Sequence, residues 1–135
     1  MASIYDDIRA ALETTLNSVV DLPSVGWENA QFSPTTGQSY LKPRLIPTRR
    51  EPAVRGTNPQ MYYQGIFRVE CYVSEGNGPA AGDDLADKII EAFEATTTAS
   101  FSGTNVSIRY AEREMAEIDG PFYMIPVNIG WYIYS

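Results

Sequence analysis

The chain reads as an α+β domain: a mixed, mostly antiparallel β-sheet with two amphipathic helices packed on it and a long projecting basic loop or hairpin. Three observations predict this. From Gly65 on, Gly65, Phe67, Val69, Cys71 and Val73 fall on one side, while Gln64, Ile66, Arg68, Glu70 and Tyr72 fall on the other. That period of two, carried by β-branched and aromatic residues, marks a long strand over Met61–Ser74 with one buried face. A second stretch, Phe122–Tyr134, alternates in the same way, with Tyr123, Ile125, Val127, Ile129, Trp131 and Ile133 on one face. Two further segments carry apolar residues at helical spacing and can cover an apolar sheet face.

The first helix is expected from about Ile4 to Val19. Ser3 with Asp6 forms a capping box, with Asp where Glu or Gln is usual, and Asp6 and Asp7 put negative charge where the helix dipole favours it. Ile4, Ile8, Ala11, Leu12, Leu16, Val19 and Val20 make its stripe, and Pro23 cannot continue it. Leu22 to Pro59 is turn-rich and holds six of the nine prolines. Within it, Val25–Trp27 is a short extended piece and Ser33–Gly37 a turn. A strand follows from about Ser39 to Ile46, where Pro43 demands an edge position or a bulge. No apolar period survives from Pro47 to Gln60, which predicts the projecting loop or hairpin at about 47–60.

After the Met61–Ser74 strand, Glu75–Pro79 is a turn. Leu85, Ala86, Ile89, Ile90 and Phe93 then share a face of a second helix, roughly Ala80 to Ala95. A short arm leads to Phe101, a turn at Ser102–Asn105, and a strand at Val106, Ile108 and Tyr110. Ala111 to Gly120 reads as an acidic loop. Phe122–Tyr134 is expected to pair antiparallel with Met61–Ser74, and Pro126 inside it needs a bulge or an unpaired side.

At 135 residues the chain forms one domain, 1–135, with 44% apolar and 20% charged residues, as in ordinary globular proteins. One cysteine rules out an internal disulfide, and Cys71, on the apolar side of its strand, reads as a small buried hydrophobe. No run is long enough to span a membrane and no secretion signal is seen, so a reducing cytoplasm is the expected place of synthesis.

Charge is distributed unevenly. Lys42, Arg44, Arg49, Arg50 and Arg55 fall within fourteen residues that hold one acid, Glu51; that segment is +4, leaving −11 for the rest of a chain whose net charge is −7. A broad basic face for wrapping nucleic acid is missing. A basic arm on an acidic body suits docking on an acidic surface, including another copy of the same chain.

The residues offer no catalytic kit, so an enzyme is not expected. There is no histidine, which removes the commonest acid–base group and transition-metal ligand. Gly76-Asn77-Gly78 lacks the remainder of a phosphate cradle. Asp83, Asp84 and Asp87 lack the spacing of a calcium loop, and a solvated first turn of an acidic helix explains them. Glu112, Glu114, Glu117 and Asp119 are an acidic stretch that either stays wet or faces a basic partner. The arginine cluster reads three ways: a polar edge protector, an assembly arm reaching an acidic neighbour, or a phosphate contact.

Four stretches together resemble the tail terminator, or tail completion, proteins of long-tailed bacteriophages. They are Ile4-Tyr5-Asp6-Asp7-Ile8-Arg9-Ala10-Ala11-Leu12-Glu13; Trp27-Glu28-Asn29 and Phe32-Ser33-Pro34 leading to Tyr40-Leu41-Lys42-Pro43; Tyr63-Gln64-Gly65-Ile66-Phe67-Arg68-Val69 with the Glu75-Gly76 turn and its helix; and Tyr123-Met124-Ile125-Pro126-Val127. The resemblance rests on order and spacing over most of the chain. It implies a structural virion protein: a subunit of a homo-hexameric ring at the head-proximal end of the tail tube, ending tube polymerisation and joining the head connector. Tail tube protein and head–tail connector protein are the implied partners, with DNA passing through the lumen without sequence-specific binding. No cofactor, metal or catalytic residue is implied. The subunit and partner interface is expected among Lys42, Arg44, Arg49, Arg50, Arg55, Asp83, Asp84, Asp87, Glu112, Glu114 and Glu117. A head-completion protein, or a small anion- or nucleic-acid-binding module using the basic loop, is the alternative.

Overall fold

The computed structural model describes residues 3–28, 30–33, 38–53, 56, 60–74, 80–95 and 98–135. Its elements are α1 (Ile4–Asn17), β1 (Ser24–Val25), β2 (Tyr40–Pro52), β3 (Met61–Ser74), α2 (Ala80–Ala95), β4 (Thr98–Phe101), β5 (Thr104–Arg113), β6 (Glu117–Asp119) and β7 (Phe122–Tyr134). They form a seven-stranded sheet in the order β1-β2-β3-β7-β5-β4, with β6 also paired to β7. Among the described residues only β1 and β2 run parallel. The rest is antiparallel, so the expected α+β class and mixed sheet are what forms.

Strands β3 and β7 are the centre. They pair without a shift from Tyr62↔Tyr134 to Ser74↔Phe122. Their inner face is the predicted one: Tyr63, Phe67, Val69, Cys71 and Val73 from β3 are buried with Ile125, Val127, Ile129, Trp131 and Ile133 from β7. Helix α2 adds Leu85, Ala86, Ile89 and Phe93, and α1 adds Ile8, Ala11, Leu12 and Leu16, to the same core. The predicted capping box closes α1: Asp6 N–H donates to Ser3 Oγ at 3.2 Å and Ser3 N–H to Asp6 Oδ2 at 3.4 Å. Helix α2 lies against β3, β7 and β5, whereas α1 lies against β4, β5 and α2. Among the described residues no helix lies on the opposite, outer face.

Two glycines on the central strands are set by close approach. A Cβ at Gly65 would strike the Ile46 carbonyl oxygen and the Trp131 ring; one at Gly130 would strike the Tyr110 ring that lies over it. At Ser102 (φ 50°) and Gly103 (φ 86°) both turn residues adopt positive φ, the twist that a two-residue hairpin between β4 and β5 requires.

The structure corrects the first part of the loop expected over 47–60, whose residues 54, 55 and 57–59 lie outside the described residues. Strand β2 continues to Pro52, pairing Arg49↔Gln64, Arg50↔Tyr63 and Glu51↔Tyr62 past a bulge between Pro47 and Arg49. Ala53 N–H then donates to Gln60 O at 2.7 Å. The hairpin alternative holds for these residues, which stay within the sheet instead of projecting from it, because β3 is itself paired to β7 as far as Tyr62. The prolines permit this because they face outward. Gly26 N–H donates to Leu41 O at 2.7 Å and Leu45 N–H to Glu28 Oε1 at 2.9 Å, so the backbone of 41, 43 and 45 points away from β3. Continued alternation puts Pro47 outward, and the Ala53 bond places Pro52 outward after the bulge. Each proline lacks its N–H where no ladder bond is needed.

Pro126 follows the same rule inside the sheet. Glu114 N–H donates to Pro126 O at 3.0 Å, so the ring nitrogen points toward the β5–β6 side, opposite the break between Arg113 and Glu117. The expected unpaired side is there. A second correction concerns Ala111–Gly120: β5 runs on to Arg113, and Glu117–Asp119 form β6 against Met124–Phe122. Ile118 is 69% exposed, so this short strand offers no buried apolar period to reveal it.

Candidate interaction surface

The outer face is built from the alternate residues of the strands that make the core. Their register lays out rows across the sheet. Lys42 lies opposite Glu70, which lies opposite Pro126, with Glu114 next across. Arg44 lies opposite Arg68, then Asn128, then Glu112. Ile46 lies opposite Ile66, then Gly130, then Tyr110. Charge therefore runs from basic on β2 to acidic on β5, a distance of three strand spacings or about 14 Å.

Side chains bind these rows together. Glu114 Oε2 accepts from Arg68 Nη1 at 2.6 Å and from Asn128 Nδ2 at 2.7 Å, spanning β7. The Asn128 bond and then the Arg68 bond and charge hold the Glu114 carboxyl below the usual carboxylate range. Arg68 Nε also reaches Glu70 at 3.4 Å. At one end of the face, Arg109 donates to Tyr62 Oη at 2.7 Å and stacks 5.0 Å from the Tyr132 ring. At the other, Tyr40 and Tyr72 stack at 4.5 Å, with Phe122 edge-on to both and Lys42 6.0 Å from each tyrosine ring.

The edge beside β2 has its own network. Glu28 Oε1 takes both the Leu45 N–H and Arg9 Nη1, the latter at 2.6 Å, tying α1 to the strand edge. Burial alone would raise the Glu28 pKa; the Leu45 N–H and the Arg9 and Arg44 cations outweigh it and leave the carboxyl below its ordinary value.

The predicted interface residues separate into groups. Lys42, Arg44, Arg49 and Arg50 are all exposed on β2, with Arg49 3.5 Å from Glu51 and Arg50 5.7 Å from the Tyr63 ring centre. Arg55 lies outside the described residues. Asp84 and Asp87 are exposed on α2, but Asp83 is paired with Arg113 Nη1 at 2.6 Å within the chain. Glu112 and Glu117 are exposed, whereas Glu114 is committed to Arg68 and Asn128. Arg68, Arg109, Arg113 and Glu28 organise the surface and were not among the predicted residues. They stand alone in the sequence, and only the outward register of Arg68 and Glu70 hinted at a role.

The three described clefts are between about 180 and 220 Å³, below the size of ordinary ligand pockets. Among the described residues no group of His, Cys, Asp or Glu is placed to hold a metal. Burial pushes the Cys71 thiol up to about 12, far from a nucleophile's range. No helix among the described residues is long and apolar enough to cross a membrane.

A family model described as phage tail terminator protein matches residues 7–131. A solved structure designated only by a sequence identifier matches with a TM-score of 0.74 at 21% identity, covering 99% of this chain and 97% of that one. At such identity the likeness concerns the fold. No curated protein matches. The family match runs from the first turn of α1 almost to the end of β7, taking in the core, the charged outer face and both sheet flanks, and the chain belongs to the phage tail terminator family, whose members are structural tail proteins.

Proposed function

We propose that the protein is a virion subunit that forms a ring, a homo-hexamer, at the head-proximal end of the tail tube. There it ends tube polymerisation and joins the tail to the head connector, and DNA passes through the lumen without sequence-specific contact. The family match over residues 7–131 carries this reading. The fold is consistent with it: one sheet face is covered by α1 and α2 and supplies stability, while the other is cross-linked by Arg68, Glu114 and Asn128. A charged face held by cross-strand hydrogen bonds suits a subunit that works by contact.

Negative-stain imaging of the purified protein mixed with tube subunits tests the proposal. Rings with a central hole, seated at one end of tubes of uniform length, are expected. Tubes of unchanged length in the protein's presence and absence would refute it. Copurification with filled heads rather than with tails would move the protein to the connector side of the joint.

A further inference from the structure

We infer that neighbouring copies meet flank to flank with their strands running along the ring axis, Arg44 of one copy facing Glu112 of the next and Lys42 facing the Glu114–Glu117 segment. This rests on the ring reading above and says which surfaces close the ring.

The register carries the argument. A closed ring is made by rotation without rise along its axis, so contacting groups must sit at one level on the two flanks of a subunit. Three successive rows satisfy this requirement. The row from Lys42 ends at Glu114, the row from Arg44 ends at Glu112, and the row from Ile46 ends at Tyr110. The Arg44 row pairs a cation with the exposed carboxylate of Glu112; the Lys42 row ends at Glu114, already held by Arg68 and Asn128 of its own copy, with exposed Glu117 nearby on β6; the third pairs two apolar groups, half-buried Ile46 with 37%-exposed Tyr110. Arg44, Lys42, Glu112 and Glu117 are all exposed, and none of the four has an ion pair among the described residues. Within one copy the β2 and β5 ends of a row are too far apart to meet, at three strand spacings.

The edge of β2 also determines how the contact is made. Pro43, Pro47 and Pro52 present no N–H on the outward side, and the Leu45 N–H is already donated to Glu28. A neighbour therefore cannot extend the sheet by an ordinary backbone ladder at this edge. The contact is made by side chains, and its strength depends on salt.

Sedimentation velocity at low salt on R44E, on E112K and on the double variant R44E/E112K tests this. Each single reversal is expected to weaken ring assembly at least tenfold, and the double variant to recover it. Thermal melts of the same samples verify that these exposed substitutions leave the fold intact. As a second measurement, wild-type rings are expected to dissociate as salt rises from about 0.05 to 0.5 M. Single variants that assemble like wild type, a double variant that does not recover, or salt-independent rings would each overturn the inference while leaving the terminator reading in place. Wild-type protein that stays monomeric even beside tube subunits would overturn both.

Discussion

The two faces of β3 use the same backbone for opposite purposes. Inward, Phe67, Val69 and Cys71 are at most 1% exposed and packed beneath α2 and β7. Outward, Arg68 and Glu70 keep 24% and 14% of their side chains exposed, because neighbouring strands hold them in hydrogen bonds instead of a helix burying them. The inner face is ordered by exclusion of water, and its loss would unfold the domain. The outer face is ordered by cross-strand contacts in water, and its loss would disorder a surface.

This contrast is most easily broken at its centre. Phe67→Ala should cost about 3–5 kcal/mol in urea unfolding, since Phe67 fills the core beside Phe93 with ring centres 6.1 Å apart. Arg68→Ala, one residue away, should change stability by no more than about 1 kcal/mol. Equal effects would mean that the outer network is structural after all.

The glycines sharpen it further. Gly65→Ala is expected to cost about 1–3 kcal/mol, because the new methyl meets the Ile46 backbone and the buried Trp131. Gly130→Ala should cost less, within about 1 kcal/mol, because the obstruction is the ring of Tyr110, a side chain at the sheet surface that can swing aside where backbone cannot. A reversal of that order in thermal melts would contradict the assignment of the rigid face.

Acid titration distinguishes the β2 edge from the helix layer. Glu28 has its folded pKa lowered, so it contributes stability above its ordinary value of 4.5 that is lost as pH falls through the lower folded value. Glu28→Gln should therefore flatten the stability profile below pH 4.5. Glu13, raised mainly by burial against the partial offset of Arg9, acts in the opposite sense and in the window just above pH 4.5, where it is protonated in the folded chain before the unfolded one; Glu13→Gln should steepen the loss of stability there. The smallest expected effect is chemical. Cys71, with its thiol at about 12, should resist thiol reagents at neutral pH until denaturant is added. Rapid labelling of the native protein would place it at the surface.

The core was legible where a periodic apolar face existed. Residues such as Val69, Val127 and Leu12 announced both central strands and the first helix, and Ser3 with Asp6 marked its start. Strand β2 past Ile46 was not legible, because its prolines and arginines resemble a loop until the edge is known. Outward prolines at 43, 47 and 52 are compatible with a strand only when nothing pairs on that side. Strand β6 escaped for the opposite reason, having too few apolar residues to show a period. Of the surface, the clustered β2 cations could be read from sequence proximity. The rows could not, since Arg44 and Glu112 are related only through two intervening strands.

The two tryptophans occupy different neighbourhoods, and this gives the molecule a pair of optical reporters. Trp131 sits 1% exposed in the core over Gly65, whereas half-buried Trp27 lines the cleft shared with Lys42, Pro43 and Arg44 at the β2 flank. Emission from Trp131 follows the dry interior and shifts to the red only when the domain unfolds. Emission from Trp27 follows the flank, and a neighbour arriving there alters it while Trp131 stays silent. With Trp27→Phe as the control, one fluorescence spectrum separates assembly from folding.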